Sequence, residues 1–265
     1  MAICAAVRFL SHRTAPVAGN HLRLRTAGPA RSRRWWTGCR GVSRLGGVRE
    51  LFHGQLERLG DELADMAGLA CTAMEQATRA LLDTDSALAE QVVSIRVEID
   101  QRGRRCEEHA CVLLARQAPV ARDLRVVVTA IRMSEMIGRM GQLAAHIAEL
   151  VRLRHPNPVL PIELVGLFER MAELAVHESR LVEHTIAAPA GVHLPEIERL
   201  DDELDQIHGE VLGQVGRTDP PYPVQCGIDV ALLARYVERF ADQAVSVTRQ
   251  LDYVATGHTH RDSPL

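Results

Sequence analysis

Five carboxylates in the last third of the 265-residue chain are spaced to hold a metal ion. The run Leu-Asp-Asp-Glu-Leu-Asp-Gln-Ile-His carries Asp201, Asp202 and Asp205, and Tyr-Val-Glu-Arg-Phe-Ala-Asp carries Glu238 and Asp242. Residues four apart share one helical face, so Asp201/Asp205 and Glu238/Asp242 each form a pair. Like charges at that spacing destabilise an isolated helix by roughly a few tenths of a kcal/mol, unless solvent, arginine or a cation offsets them. Two such pairs on adjacent helices would offer four carboxylates to a hard or borderline cation. The competing reading is a solvated acidic face, with Arg235 and Arg239 flanking the second pair.

Other chemistries find less support. A ferritin-type centre wants Glu-x-x-His on two helices, a condition the chain does not meet. Asp205-Gln-Ile-His208 comes nearest among the acids, and His208 reads as an exposed helix histidine. No phosphate-cradling Gly-x-x-x-x-Gly-Lys-Ser/Thr or Gly-x-Gly-x-x-Gly loop is present, nor a Gly-x-Ser-x-Gly nucleophile turn. Nucleophilic catalysis is not expected.

Composition narrows the class further. The chain is 46% hydrophobic but only 3% aromatic, which favours helices over a β-sandwich. No run approaches the ~18 uncharged apolar residues of a membrane-spanning helix. Residues 1–47 hold nine Arg and no acid, whereas 48–265 hold all 34 acids against 22 Arg, a net −12. So acidic a body is a poor binder of nucleic-acid phosphates. Cys4, Cys39, Cys71, Cys106, Cys111 and Cys226 form no Cys-x-x-Cys pair and read as reduced thiols of a cytoplasmic chain. The acid-free stretch 1–47 is expected to be a disordered tail from an upstream start, because helical periodicity begins abruptly at Val48. A transit peptide is the alternative, and a twin-arginine signal at Arg33-Arg34 fails for want of an apolar segment.

The acids must be positioned by helices, and proline marks where those end. Pro119, Pro156/Pro158/Pro161, Pro189/Pro195 and Pro220/Pro221/Pro223 interrupt the chain, and Thr84 or Asp85 is placed to cap a helix start. Six helices are predicted, over roughly 49–81, 85–117, 121–153, 162–187, 195–216 and 224–255. Leu124, Val127, Val128, Ile131, Ile137, Met140, Leu143, Ala144 and Ile147 show the helical spacing in the third. Short connections favour antiparallel neighbours.

The six segments also repeat. At an offset of 100, Arg139-Met140-Gly141 falls on Arg239-Phe240-Ala241. At 105, Glu98-Ile99-Asp100-Gln101 falls on Glu203-Leu204-Asp205-Gln206. The predicted fold is all-α: two tandem pseudo-symmetric three-helix bundles of long antiparallel helices, over 48–154 and 161–257, with a disordered tail at 258–265.

The chain resembles the PhoU family of phosphate-uptake regulators, particularly its actinobacterial members. The resemblance rests on Pro119-Val-Ala-Arg-Asp123-Leu124-Arg125, Glu238-Arg239-Phe240-Ala241-Asp242, the closing Tyr253-Val-Ala-Thr-Gly257, and the opening Val48-Arg-Glu-Leu-Phe-His-Gly-Gln-Leu-Glu-Arg-Leu. It implies a non-catalytic cytoplasmic negative regulator, commonly a homodimer, that couples a phosphate ABC transporter ATPase to a sensor histidine kinase. Membrane association would come through those partners alone. It also implies a Glu/Asp-x-x-x-Asp metal motif in each repeat. The motif is intact at Glu238 and Asp242, with Asp201, Asp202 and Asp205 facing it. In the first repeat Gly138 and Gln142 stand at the motif positions, and Ile95 and Val97 on the facing helix, where acids would serve. Glu135 and Asp100 lie off the motif spacing. One divalent or trivalent ion site is therefore expected, in the second repeat only. Asp123 and Arg125 are expected to be structural, the acid favouring a helix N-terminus. A carboxylate-bridged metalloenzyme and a metal-independent helical scaffold remain the alternatives.

Overall fold

Helix formation in this chain follows its caps and prolines closely. The computed structural model describes residues 46–187, 193–219 and 221–258. Six helices run in the order α1 (Gly46–Asp83), α2 (Ser86–Gln117), α3 (Ala121–Arg154), α4 (Val165–Ala187), α5 (Leu194–Val215) and α6 (Val224–Thr256), with a 3₁₀ turn at Ile162–Leu164 before α4. The expectations for the Arg-rich tail to residue 45 and for the C-terminal residues beyond 258 lie outside the described residues. Among the described residues there is no strand, and no helix is long and apolar enough to cross a membrane.

Asp85 caps α2: its Oδ1 accepts from the backbone N–H of Ala87 and Leu88, both at 2.9 Å. That satisfies two donors a helix start leaves open. Pro223 precedes α6, and Pro195 sits in the first turn of α5, where a missing N–H costs nothing. Gly257 ends α6 at φ +80°, with its N–H bonded to Tyr253 O at 2.9 Å.

Each consecutive trio closes on itself. Antiparallel ion pairs show the direction within it: Arg102 of α2 reaches Asp65 of α1 at 3.0 Å, and Arg152 of α3 reaches Glu90 of α2 at 2.9 Å. In the second trio Arg170 of α4 pairs with Glu203 of α5, and Arg249 of α6 with Glu198 of α5 at 2.9 Å. These are the two three-helix bundles.

The bundles share one apolar core. α1 also packs on α4, and α3 on α6, so Leu59, Leu63, Met66, Met140, Phe168 and Phe240 belong to a single buried cluster. Small residues make the seams close. Ala70, Ala73 and Ala77 line α1, while Ala144, Ala148, Ala241 and Ala244 line α3 and α6. At Gly141 even a Cβ would meet Ile99 Cδ1 at 2.7 Å, so α2 seats a branched side chain directly on the α3 backbone. Each fully buried Leu, Met or Phe contributes about 1.5–3 kcal/mol, which identifies this core as what holds the acidic helices in place.

Candidate metal centre

The α5 core stripe is Ile197, Leu200, Leu204, Ile207 and Val211, all buried. A helix that buries this stripe carries Asp201, Asp205 and His208 along the adjoining edge, three and four residues apart. On α6 the stripe Ala234, Val237, Ala241 and Val245 is buried, and Glu238 is drawn in beside it at 9% exposure. Because α5 and α6 are antiparallel, the two edges meet. Ligand atoms of Asp205, His208 and Glu238 lie within 4.8 Å of one another.

Arg235 bonds one oxygen of Glu238, Oε1. The other, Oε2, is buried without a partner, as are Asp201 Oδ1, His208 Nε2 and both carboxylate oxygens of Glu178 on α4. Half of the ten such side-chain atoms among the described residues thus belong to four residues of the second bundle, Glu178, Asp201, His208 and Glu238. Buried polar atoms are normally satisfied by protein, water or a bound ion, and a cation is one group that would satisfy the carboxylates here.

The electrostatics agree. Burial first, then Asp205 and Asp242, raise the Asp201 carboxyl to about 6. Burial followed by Asp242 raises Glu238, against the opposing pull of Arg235 and His208. Glu178 is pushed to about 9, mainly by burial and then by Asp201, Asp205 and Asp242. A cation placed among these groups would oppose each of those shifts by favouring the ionised carboxylates. Carboxylates with one imidazole suit a hard or borderline metal, so the residues present fit a divalent or trivalent ion.

Of the sequence-predicted ligands, Asp205 and Glu238 meet directly. Asp201 and Asp242 adjoin them, with the Asp242 side chain half exposed and 3.9 Å from Arg239. Asp202 is exposed, as is Asp205, and like Asp201 and Asp242 it is not among the three residues whose ligand atoms meet within 4.8 Å. It follows Asp201 by one residue, about 100° round the helix, so the two cannot both face α6. His208, expected to be an exposed histidine, is half-buried inside the group.

Comparison with known proteins decides the family. Residues 63–151 match the PhoU domain. The chain is 42% identical over 215 residues to "Phosphate-specific transport system accessory protein PhoU homolog 1" of Mycobacterium leprae (strain TN), covering 81% of this chain and 97% of the relative. The chain belongs to the PhoU family. Homolog 2 of Mycobacterium tuberculosis (strain ATCC 25618 / H37Rv), under the same accessory-protein name, is 42% identical over 79% of this chain and 99% of its own length. The crystal structure of PhoU from Pseudomonas aeruginosa shares the fold at TM-score 0.69 and 22% identity, covering 78% of this chain and all of that one. The structure from Streptococcus pneumoniae does so at 0.69 and 22%, covering 81% and all of it.

Within this PhoU chain the first bundle is differently furnished at the corresponding place. Gly138 has open space where a Cβ would stand, with no atom within 4 Å, and Gln142 is exposed. Val97 is exposed, and Ile95 packs on the core. The two nearby acids each have an arginine: Asp100 Oδ2 lies 3.5 Å from Arg96 Nε, and Glu135 pairs with Arg139. At the offset of 105, Asp100 does fall on Asp205, but Arg96, between Ile95 and Val97, stands where the second repeat has Asp201, so the pair of acids is broken. An open groove of about 770 Å³ between α1 and α4, lined by Glu75, Arg79, Glu169, Glu173, His177 and Arg180, contains none of the candidate ligands.

Sequence reasoning passed over Glu178. Its signal was an acid interrupting the α4 stripe Leu174, Ala175, Ser179 and Val182, where the helical period asks for an apolar residue. Asp123 lies in the first turn of α3, and the Arg125 guanidinium sits over the Tyr253 ring at 5.8 Å, both contacts of a structural kind.

Proposed function

We propose that this chain is a non-catalytic negative regulator of phosphate uptake and phosphate-starvation signalling, an adaptor between the ATPase subunit of a phosphate ABC transporter and a sensor histidine kinase. The observation that carries the reading is its near-full-length relationship to proteins named as accessory proteins of the phosphate-specific transport system. Its acidic body favours encounter with basic patches on those partners, with charge setting the rate of association more than its strength. Long helical faces give partner helices a surface to dock on. It acts in the cytoplasm as a homodimer and meets the membrane only through its partners.

The metal centre belongs to the second bundle alone. Asp205, His208 and Glu238 would hold the ion, with Asp201 and Asp242 beside them. The ion would supply positive charge that lets a crowded set of carboxylates stay ionised, locking α5 to α6. Deleting the protein should derepress phosphate-starvation genes in phosphate-rich medium. Unchanged expression in the deletion strain would contradict the regulatory reading. Binding assays against the transporter ATPase and the kinase, each with and without divalent metal, identify the partner and its metal dependence.

Two alternatives have specific support. Asp205-Gln-Ile-His208 beside Glu238 gives a carboxylate-and-histidine set of the kind a bundle metalloenzyme uses, and oxygen consumption by the metal-loaded protein tests it. Arg235 already neutralises one side of Glu238, as a metal-independent scaffold would require. Regulation that persists in an Asp205→Asn/Glu238→Gln chain stripped of metal would favour that scaffold.

A further inference from the structure

Glu178 is the one carboxylate near the centre with 0% exposure. It projects from α4, the helix that closes the second bundle beside α5 and α6. Neither oxygen accepts a hydrogen bond, and the charges acting on it, those of Asp201, Asp205 and Asp242, are all negative. A carboxyl group with no donor and no cation is among the costliest things a protein core can contain, and a leucine at this position would serve the apolar stripe better. Other buried polar groups of α4 are explained locally: Thr185, for example, bonds the carbonyl of Leu181 at 2.7 Å. Glu178 has no such local partner, and the charged groups that act on it are the acids Asp201 and Asp205 of α5 and Asp242 of α6.

We infer that Glu178 is a further metal-holding carboxylate, contributed by α4 from the core side, so that the ion engages all three helices of the second bundle. The inference rests on the metal reading above and extends it. The surface acids admit the ion, and Glu178 meets it from beneath. Since α4 also packs on α1, where Arg180 pairs with Glu75, the ion is anchored to a helix of the seam between the two bundles.

The test uses the full chain stripped by chelator and titrated with Mn²⁺ or Zn²⁺ alone, in wild type, Glu178→Gln and Glu178→Leu. Second-row ligands of metal sites change affinity by about 10–100-fold and direct ligands by at least as much, so both variants should bind at least tenfold more weakly. Glu178→Leu should also unfold at a higher temperature than wild type when both are metal-free, and gain less from added metal. That reversal of rank distinguishes a ligand from a merely structural residue. Unchanged affinity in both Glu178 variants, while Glu238→Gln loses the ion, would overturn this inference alone. A wild-type chain that binds neither ion would overturn the metal reading beneath it.

Discussion

Arg154, at the end of α3, grips the buried carboxylate of Asp229 near the start of α6: Nε donates to Oδ2 at 2.6 Å and Nη2 to Oδ1 at 3.0 Å. Gln225 Nε2 adds a third bond to Oδ1 at 3.0 Å. Farther along the same antiparallel pair of helices, His146 meets Tyr236 with ring centroids 5.2 Å apart. At the far end Arg125 of α3 covers Tyr253 and the Gly257 cap of α6. The seam between bundles is thus clamped at both ends by arginines of one helix.

Breaking the first clamp should destabilise the chain unequally. Arg154→Ala strands a carboxylate that is 4% exposed, and an abandoned buried charge costs about 3 kcal/mol or more. Midpoints move roughly 2–4 °C per kcal/mol in proteins of this size, so thermal denaturation should fall by about 6 °C or more. Asp229→Asn keeps hydrogen-bonding capacity and should fall less. Equal, negligible shifts in calorimetry would show that the seam does not depend on this pair.

The second clamp is testable by a double-mutant cycle. Gly257 has φ +80°, and a Cβ there would stand 2.6 Å from Arg125 Nη1. Gly257→Ala should cost about 1–2 kcal/mol for the left-handed backbone, plus the displacement of Arg125. In an Arg125→Ala background only the backbone part remains. Additive effects in urea denaturation would exclude the contact.

The metal-free protein should lose stability as pH rises. Glu178 near 9 and Asp201 near 6 lie above their ordinary values of 4.5 and 3.8. Across those intervals the folded chain retains protons that the unfolded chain has released, so each group weakens folding progressively as pH climbs. The Asp201 contribution is spent by about pH 6, and the Glu178 contribution continues to about pH 9. Melting curves in chelator should therefore slope downward between neutral and mildly alkaline pH, and Glu178→Leu should flatten that slope. A slope identical in the variant would remove Glu178 as its source.

Much of the fold was legible, for local reasons. Prolines and the Asp85 cap delimit helices whatever they pack against. Periodicity likewise reports which face of α3 is buried, but not which helix buries it, so the α1–α4 and α3–α6 seams could not be read. The same limit governs the centre. The four-residue spacings put Asp205 and Glu238 on usable faces, whereas only the packed bundle brings His208 within 4.8 Å of both and buries Glu178. Which of Asp201 and Asp202 is the more buried depends on the rotation of α5 about its axis, which spacing alone does not give: Asp202 is exposed and Asp201 half-buried.

The first bundle offers a constructive test. Gly138 has room for a side chain, and Arg96 occupies the place of an acid. Installing Arg96→Asp, Gly138→Glu and Gln142→Asp together should add metal capacity beyond wild type, measured by elemental analysis after dialysis. No added metal would show that the missing acids are not what distinguishes the two halves.

The most direct test of the central claim is metal content per chain, measured by mass spectrometry of the elements in wild type, Asp205→Asn/Glu238→Gln and Asp100→Asn/Glu135→Gln. A metal centre in the second bundle predicts bound ion in the wild type and in the Asp100/Glu135 pair, and its loss from the Asp205/Glu238 pair. Equal metal in all three proteins would contradict it.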